Sequence, residues 1–445
     1  MPTEALTELG ALSPRLVAPP PAARSRALVE TLAEAECPAL TARRARRQEQ
    51  SGAPQDPIVW ARARGANVED VDGNVYVDLT AGFGVAAIGH THPRVVAAVR
   101  AQAERLVHAL GDVHPSDVKI ALLARLRTLV PFDARVILGL SGADAIDAAL
   151  KTAMLATKRA GVLAFEGGYH GLALGPLAAC GYKEAFRRPF AAHLSPHVGF
   201  APFPDAHATL DDAIADVAAA WDAMGEPVGA VLVEPIQARG GVRVPPRGFL
   251  AALGALCRER GALLVADEIY TGLCRTGATL GSVADGAQPD LVCVGKALGG
   301  GQPVSACLGR ADVMRAWGDP AGEALHTGTF FGHPLGCAAA LASLDVIDDE
   351  QLVARATERG QRFVSALAEH GVHDVRGRGM LLGVVVGDGA RTLRVVEKLL
   401  ARGFLTLPAG ASAEVLQLSP QVALPDALID ASARAIAEVL AEERG

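Results

Sequence analysis

Lys296 stands where an apolar run, Leu291-Val292-Cys293-Val294, gives way to glycines, with Gly295 before it and Gly299-Gly300-Gly301 after it. An amine delivered into an apolar, glycine-lined pocket sheds its proton, because burial disfavours the charged form, and the neutral amine attacks carbonyl carbon. A second apolar run, Leu263-Leu264-Val265-Ala266, ends in two carboxylates, Asp267 and Glu268. An acid that follows four apolar residues is expected to be buried, and a buried carboxylate must be paired. Its partner is either an arginine or a cationic ring nitrogen. The two positions are 296 − 267 = 29 residues apart, room for one helix or loop plus one strand. That spacing brings both side chains to neighbouring or near-neighbouring strand ends.

A carbonyl-reactive lysine and an acid that holds a pyridinium nitrogen are the two fixed points of pyridoxal phosphate chemistry. Three more expected strand ends carry polar residues: Ser141-Gly142-Ala143-Asp144, Gly167-Gly168-Tyr169-His170-Gly171 and Glu234-Pro235. In open α/β sheets, ligands collect at the carboxyl ends of the strands, so five such ends together say more than any one. Ser141, Gly142 and Ala143 open a helix directly after a strand. The free N–H groups and helix dipole there suit a phosphate, and they equally suit plain capping by Ser141. Tyr169 can lie flat on an aromatic ring or pack in the core, and His170 can serve a structural hydrogen bond.

The elements that must position these residues are visible as apolar strands at 135–140, 161–165, 229–233, 262–266 and 290–294. They alternate with helices such as 143–159, whose Ile146, Ala149, Leu150, Ala153 and Thr157 form one stripe. The pattern predicts an α/β fold: a large domain over 90–335 with a mainly parallel sheet covered by helices on both faces. Residues 1–25, with Pro19-Pro20-Pro21, are expected to form a flexible Pro/Ala-rich arm. The segment 26–89 joins a smaller α+β domain. It begins with a basic helix from about Ser25 to Gln50, and Asp72-Gly73-Asn74 signals a hairpin between two strands. The rest of the small domain, 336–445, holds a long helix, a strand over 379–386 and a last helix from about Asp426.

Bulk composition narrows the class. The chain has 445 residues, half of them hydrophobic, and a net charge of −7, which gives no electrostatic case for nucleic acid. Arg43, Arg44, Arg46 and Arg47 read as a solvated helix face. Seven cysteines without Cys-x-x-Cys spacing suit reduced core thiols in a cytoplasm, and no metal site is expected. No signal segment or bilayer-length apolar run is visible.

From about Gly65 onward the chain resembles the class III aminotransferases, a branch of the fold-type I pyridoxal phosphate enzymes. The resemblance rests on motifs in order: Asp70 to Asp78; Gly89-His90-Thr91-His92-Pro93; Ser141 to Ala145; Gly168-Tyr169-His170-Gly171; Val233 to Gln237; Ala266 to Gly272; Gly295 to Gly301; and Thr329 to Pro334. It implies that Lys296 forms the Schiff base and shuttles a proton, and that Asp267 holds the pyridine nitrogen. Ile269 and Tyr169 then cover the two ring faces, while Gly142 and Ala143 cradle the phosphate. It further implies that Glu234 supports the ring through Asp267 or water, and that Thr329 reaches the phosphate of a neighbouring subunit in a homodimer with shared active sites. The expected reaction moves an amino group from an amino acid or amine donor to a keto acid acceptor. An amino-acid racemase or epimerase on the same scaffold is the alternative.

Three positions depart from the family pattern. Tyr270 stands where Gln is frequent, Arg239 where a gating Glu is frequent, and Gln417 where a carboxylate-binding Arg is frequent. Arg239 is therefore either a cationic fork for a substrate carboxylate or a surface arginine beside Gly240-Gly241. Phe83, with Gly84 and Val85, is expected to shape the side-chain pocket together with Phe330 and Phe331 of a partner.

Overall fold

Alternation along the buried strands splits their side chains between two cores. In the computed structural model, which describes residues 9–318 and 323–443, Val231 and Val233 join Phe165, Phe203, Trp221 and Phe249 in one cluster. Ala230 and Leu232 join Ile146, Ala149, Val265 and Cys293 in the other. The strand between them is apolar on both sides because helices cover both faces, as a parallel sheet requires. Helices Leu210–Ala223 and Phe249–Arg260 supply the first cover and Gly142–Thr157 the second.

The sheet has seven strands in the order Ala134–Gly139, Ser305–Arg310, Leu291–Val294, Leu263–Asp267, Val228–Val233, Gly161–Phe165, Val198–Ala201. Ser305–Arg310 runs opposite to the other six. Five of these strands fall where the apolar runs predict them. Val198–Ala201 and Ser305–Arg310 do not announce themselves, since glycines interrupt both.

The chain divides into two units. One is Pro93–Val353; the other is built by the two chain ends, up to His92 and from Ala354 on. Helix Pro334–Asp349, expected in part in the small domain, belongs to the first unit and packs on helices Pro93–Arg105 and Asp117–Arg127. Cys337, Ala339, Ala340 and Val346 are fully buried there, and a helix apolar on most sides is a core helix.

The second unit holds two four-stranded sheets. In one, Asn67–Asp70 and Val75–Asp78 form the expected hairpin, and the Asp70 carboxylate accepts hydrogen bonds from Asp72 N, Asn74 N and Tyr76 Oη. The expected flexible arm is a different object from Leu9 onward. Asn67 Oδ1 accepts the N–H groups of Gly10 and Leu12 at 2.9 and 2.8 Å, and Arg15 and Val75 exchange backbone hydrogen bonds. Buried asparagine side chains need partners, and this segment supplies them; residues 1–8 of the expected arm lie outside the described residues. The basic helix is two helices, Ala23–Ala35 and Pro38–Ser51, because Pro38 cannot continue the first. Among the described residues no helix is long and apolar enough to cross a membrane.

Candidate active site

Strands Leu263–Asp267 and Leu291–Val294 are adjacent and parallel, with Asp267 in register with Cys293. Lys296 follows its strand by two residues, in the left-handed region at φ +43°. That conformation costs a non-glycine residue about 1–3 kcal/mol and persists where the surroundings impose it. Its Nζ lies 4.6 Å from the centroid of the Tyr270 ring. Burial pushes the pKa of Lys296 below its ordinary value; the charges of Asp267 and Glu234 oppose the shift and that of Arg239 adds to it.

Asp267 is 4% exposed. Its Oδ2 lies 2.7 Å from His170 Nδ1, and its Oδ1 accepts the Ile269 N–H at 3.0 Å. His170 is 2% exposed, and among the described residues its Nε2 has no hydrogen-bond partner. Burial works against the imidazolium, yet the Asp267 and Glu234 carboxylates outweigh it and hold the pKa of His170 above its ordinary value. Glu234, at the end of Val228–Val233, accepts the Tyr169 N–H on Oε1 at 2.8 Å and the Ala238 N–H on Oε2 at 3.3 Å. Burial pushes its pKa up to about 7, with Asp267 adding to the shift and His170 opposing it. Glu268 has other partners: Oε1 accepts both Ser282 N and Ser282 Oγ at 2.6 Å, and Oε2 accepts the Thr271 hydroxyl. Successive residues of a strand face opposite sides, so only the first acid of the pair joins His170.

Helix Gly142–Thr157 starts at the end of strand Ala134–Gly139. Ser141 caps it, accepting the Asp144 N–H, while Asp144 Oδ2 accepts the N–H groups of Leu140 and Ser141. The N–H groups of Gly142 and Ala143 lie in the first turn, where no intrahelical acceptor exists. A Cβ on Gly142 would come within 2.8 Å of Ile269 Cδ1, so a side chain there would have to push the Ile269 side chain aside.

Lys296, Asp267, His170, Glu234, Tyr169, Ile269, Tyr270, Arg239 and the Ser141–Ala143 turn all belong to the Pro93–Val353 unit. Thr329 lies in the same unit and is exposed. Phe83, exposed at φ +64°, and Gln417, buried in strand Val415–Leu418, belong to the unit built by the chain ends. Arg239 is not a plain surface residue: its guanidinium carbon sits 5.3 Å from the Tyr169 ring centroid and 5.5 Å from that of Tyr182. The sequence does not single out Tyr182. Its one signal is scarcity, since the chain has four tyrosines and three of them lie against Lys296 or Arg239.

The family model of aminotransferase class-III matches residues 49–440. The chain is 35% identical to the acetylornithine aminotransferase of Methanothermobacter thermautotrophicus, over 87% of this chain and 95% of that one. It is 35% identical to a 5-aminovalerate aminotransferase of Pseudomonas aeruginosa (87% and 94%) and 34% identical to a 4-aminobutyrate aminotransferase of Mycobacterium leprae (84% and 88%). Among solved structures, the ornithine aminotransferase of Toxoplasma gondii superposes with a TM-score of 0.78 at 33% identity, covering 89% of this chain and 94% of that one. An amine transaminase from an uncultivated Pseudomonas species, solved with pyridoxal phosphate bound, gives 0.78 at 28% identity over 87% and 94%. The parallel sheet, the buried acid beside a lysine and these likenesses together make the chain a member of the class III aminotransferases, fold-type I enzymes that use pyridoxal phosphate to move an amino group from a donor to a keto acid.

Proposed function

We propose that Lys296 holds and works the cofactor, that Asp267 serves its ring nitrogen, and that the donor is an ω-amino acid. The observation that carries the reading is a lysine whose charge burial disfavours, one strand away from a buried carboxylate fixed by two hydrogen bonds. When bound, pyridoxal phosphate supplies an electrophilic carbon and a conjugated sink for an electron pair.

The residues present fit that group. The Gly142 and Ala143 N–H groups at the start of a sixteen-residue helix suit a phosphate, with Ser141 occupied as the cap. Asp267 offers a carboxylate to a ring N–H, and its contacts to His170 and Ile269 fix its plane. Ile269 and Tyr169 would cover the two faces of the cofactor's ring. Glu234 holds the backbone of Tyr169 through its N–H. Lys296 Nζ, as a neutral amine, takes the proton from the carbon that bears the donor's amine and returns one in the second half-reaction. Tyr270 lies against that amine and confines it. The names of the relatives support a donor whose amine sits on a chain distant from its carboxylate.

The enzyme works as a homodimer in the cytoplasm, with Thr329 reaching the neighbouring subunit's phosphate. Val107, Leu110, Val113, Leu325 and Phe330 are exposed. Contacts between His108 and Phe330 and between Thr327 and Asp112 join them in one apolar area, which supports a subunit interface. Six of the seven cysteines are buried and none is paired, which supports a reducing compartment.

Mixing the holoenzyme with 4-aminobutyrate or 5-aminovalerate, without acceptor, tests the reaction. The cofactor absorbance should convert to that of its amine form with one semialdehyde released per site, and 2-oxoglutarate should restore it. Consumption of neither donor would refute the substrate class.

A further inference from the structure

Arg239 lies on the loop between strand Val228–Val233 and helix Phe249–Arg260, and that loop is pinned. Gln237 and Arg243 exchange both backbone hydrogen bonds at 3.1 Å, and Gln237 Nε2 donates to the Glu166 carbonyl at 2.8 Å. Gly240 is so close to the neighbouring turn that a Cβ there would lie 2.7 Å from the Gly167 carbonyl oxygen. The backbone at 239 is therefore fixed against the turn that carries Tyr169. The side chain is half-buried with its guanidinium against the rings of Tyr169 and Tyr182. Tyr182 is itself held by Phe186, stacked at 5.9 Å, and by Leu177 and Cys180.

Ring faces attract a cation without neutralising it. Among the described residues Arg239 has no hydrogen bond or ion pair, and its Nε is buried without an acceptor. The nearby acids are committed elsewhere: Glu234 to the Tyr169 and Ala238 N–H groups, Asp267 to His170 and Ile269. A half-buried guanidinium with no anion is expensive, and a ligand that brings one repays it. The site's own chemistry calls for two anions. The cofactor's phosphate has donors at the Gly142–Ala143 turn, which leaves the substrate's carboxylate.

We infer that Arg239 is the fork that anchors a substrate carboxylate, held in readiness by Tyr169 and Tyr182. The inference rests on the assignment of Lys296 given above and adds the residue that selects acids over plain amines. Its charge also reaches the reactive amine, since Arg239 is one of the groups that keep the pKa of Lys296 low. A carboxylate seated on it would relieve that effect as the donor arrives. The planar guanidinium meets both carboxylate oxygens at once, which a lysine cannot do.

The test compares matched donors on the wild-type holoenzyme and on Arg239→Gln and Arg239→Lys. One pair is 6-aminohexanoate and hexylamine; the other is phenylalanine and phenethylamine. Binding of hexanoate, which has the acid and no amine, is read separately by calorimetry. Each charge-assisted hydrogen bond lost costs at least about tenfold. Arg239→Gln should thus lower kcat/KM for the acid at least about tenfold further than for its matched amine, and weaken hexanoate by a similar factor. Arg239→Lys, which keeps charge and stem, should fall between. A drop confined to the first pair assigns the distal carboxylate and a drop confined to the second the α-carboxylate; both support the anchor. Equal losses for acid and amine, or hexanoate binding unchanged, would overturn it. So would loss of the cofactor from Arg239→Gln, which would make the phosphate its anion. Lys296→Ala runs in parallel: if it retained wild-type turnover, the assignment of Lys296 would fail independently of Arg239.

Discussion

Around Asp267 the carboxylate oxygens have donors, whereas the Arg239 guanidinium, on the loop after the neighbouring strand, has only ring faces. In the acid cluster of Asp267, His170 and Glu234 every carboxylate oxygen has a partner, and the His170 Nε2 alone of its polar side-chain atoms has none among the described residues. Its hydrogen bonds set orientation, and burial sets charge, with the pKa of Glu234 raised to about 7. The arginine loop has a fixed backbone and an uncompensated charge. On the proposed roles the difference separates two tasks: a cofactor that stays is met by carboxylates already fixed in place, while a substrate that comes and goes brings the anion that Arg239 lacks. The same contrast explains the charge at Lys296, which the acids favour and burial and Arg239 disfavour.

Asp267→Asn should break the acid cluster most severely. It removes the charge proposed to serve the ring nitrogen and takes the Asp267 carboxylate from His170. The expectation is a fall in kcat of at least about 10²-fold, with a loss of about 3 kcal/mol in denaturant unfolding of the apoenzyme. A variant as active as wild type would show that the acid is merely structural. Gly142→Val attacks the approach of Ile269 to the helix start. Overpacking there should cost about 1–3 kcal/mol and weaken cofactor retention on dialysis, with little change in the turnover of fully loaded enzyme.

A third variant, Glu234→Gln, reads the buried charge through pH. The folded-state pKa of Glu234 lies above that of an exposed glutamate, at about 7, so the folded state binds the proton more tightly. Its stabilising contribution is full below the unfolded value and is lost as pH rises from the ordinary glutamate range through 7. Glu234→Gln should remove part of that decline in apoenzyme stability, leaving the share contributed by His170, whose pKa is also raised. An unchanged slope would contradict the assignment of burial as the cause. Tyr182→Leu should do least. It withdraws one ring face from Arg239, a contact worth about 0.5–1 kcal/mol, and should weaken hexanoate binding by only a few-fold.

Much of the acid cluster is legible in the sequence because it is built from strand ends. Buried parallel strands are short apolar runs, and a carboxylate or lysine closing such a run points to the carboxyl edge of the sheet. The adjacency of Asp267 and Lys296 follows from their spacing to within one strand. What stayed hidden depends on contacts with no local pattern. The segment from Leu9 to Ala18 is held by two distant asparagines, Asn67 and Asn74. Ser305–Arg310 is an antiparallel strand of small residues inserted into a parallel sheet. Tyr182 meets Arg239 across the fold, and Arg239 itself reads in sequence as either a fork or a surface residue. Its setting between two tyrosines is a tertiary fact.

Borohydride reduction of the holoenzyme, followed by peptide mapping, addresses the central claim most directly. The account predicts cofactor fixed to Lys296, and a folded Lys296→Ala variant whose turnover falls at least about 10²-fold. Label on a different lysine, or a variant that turns over at the wild-type rate, would contradict it.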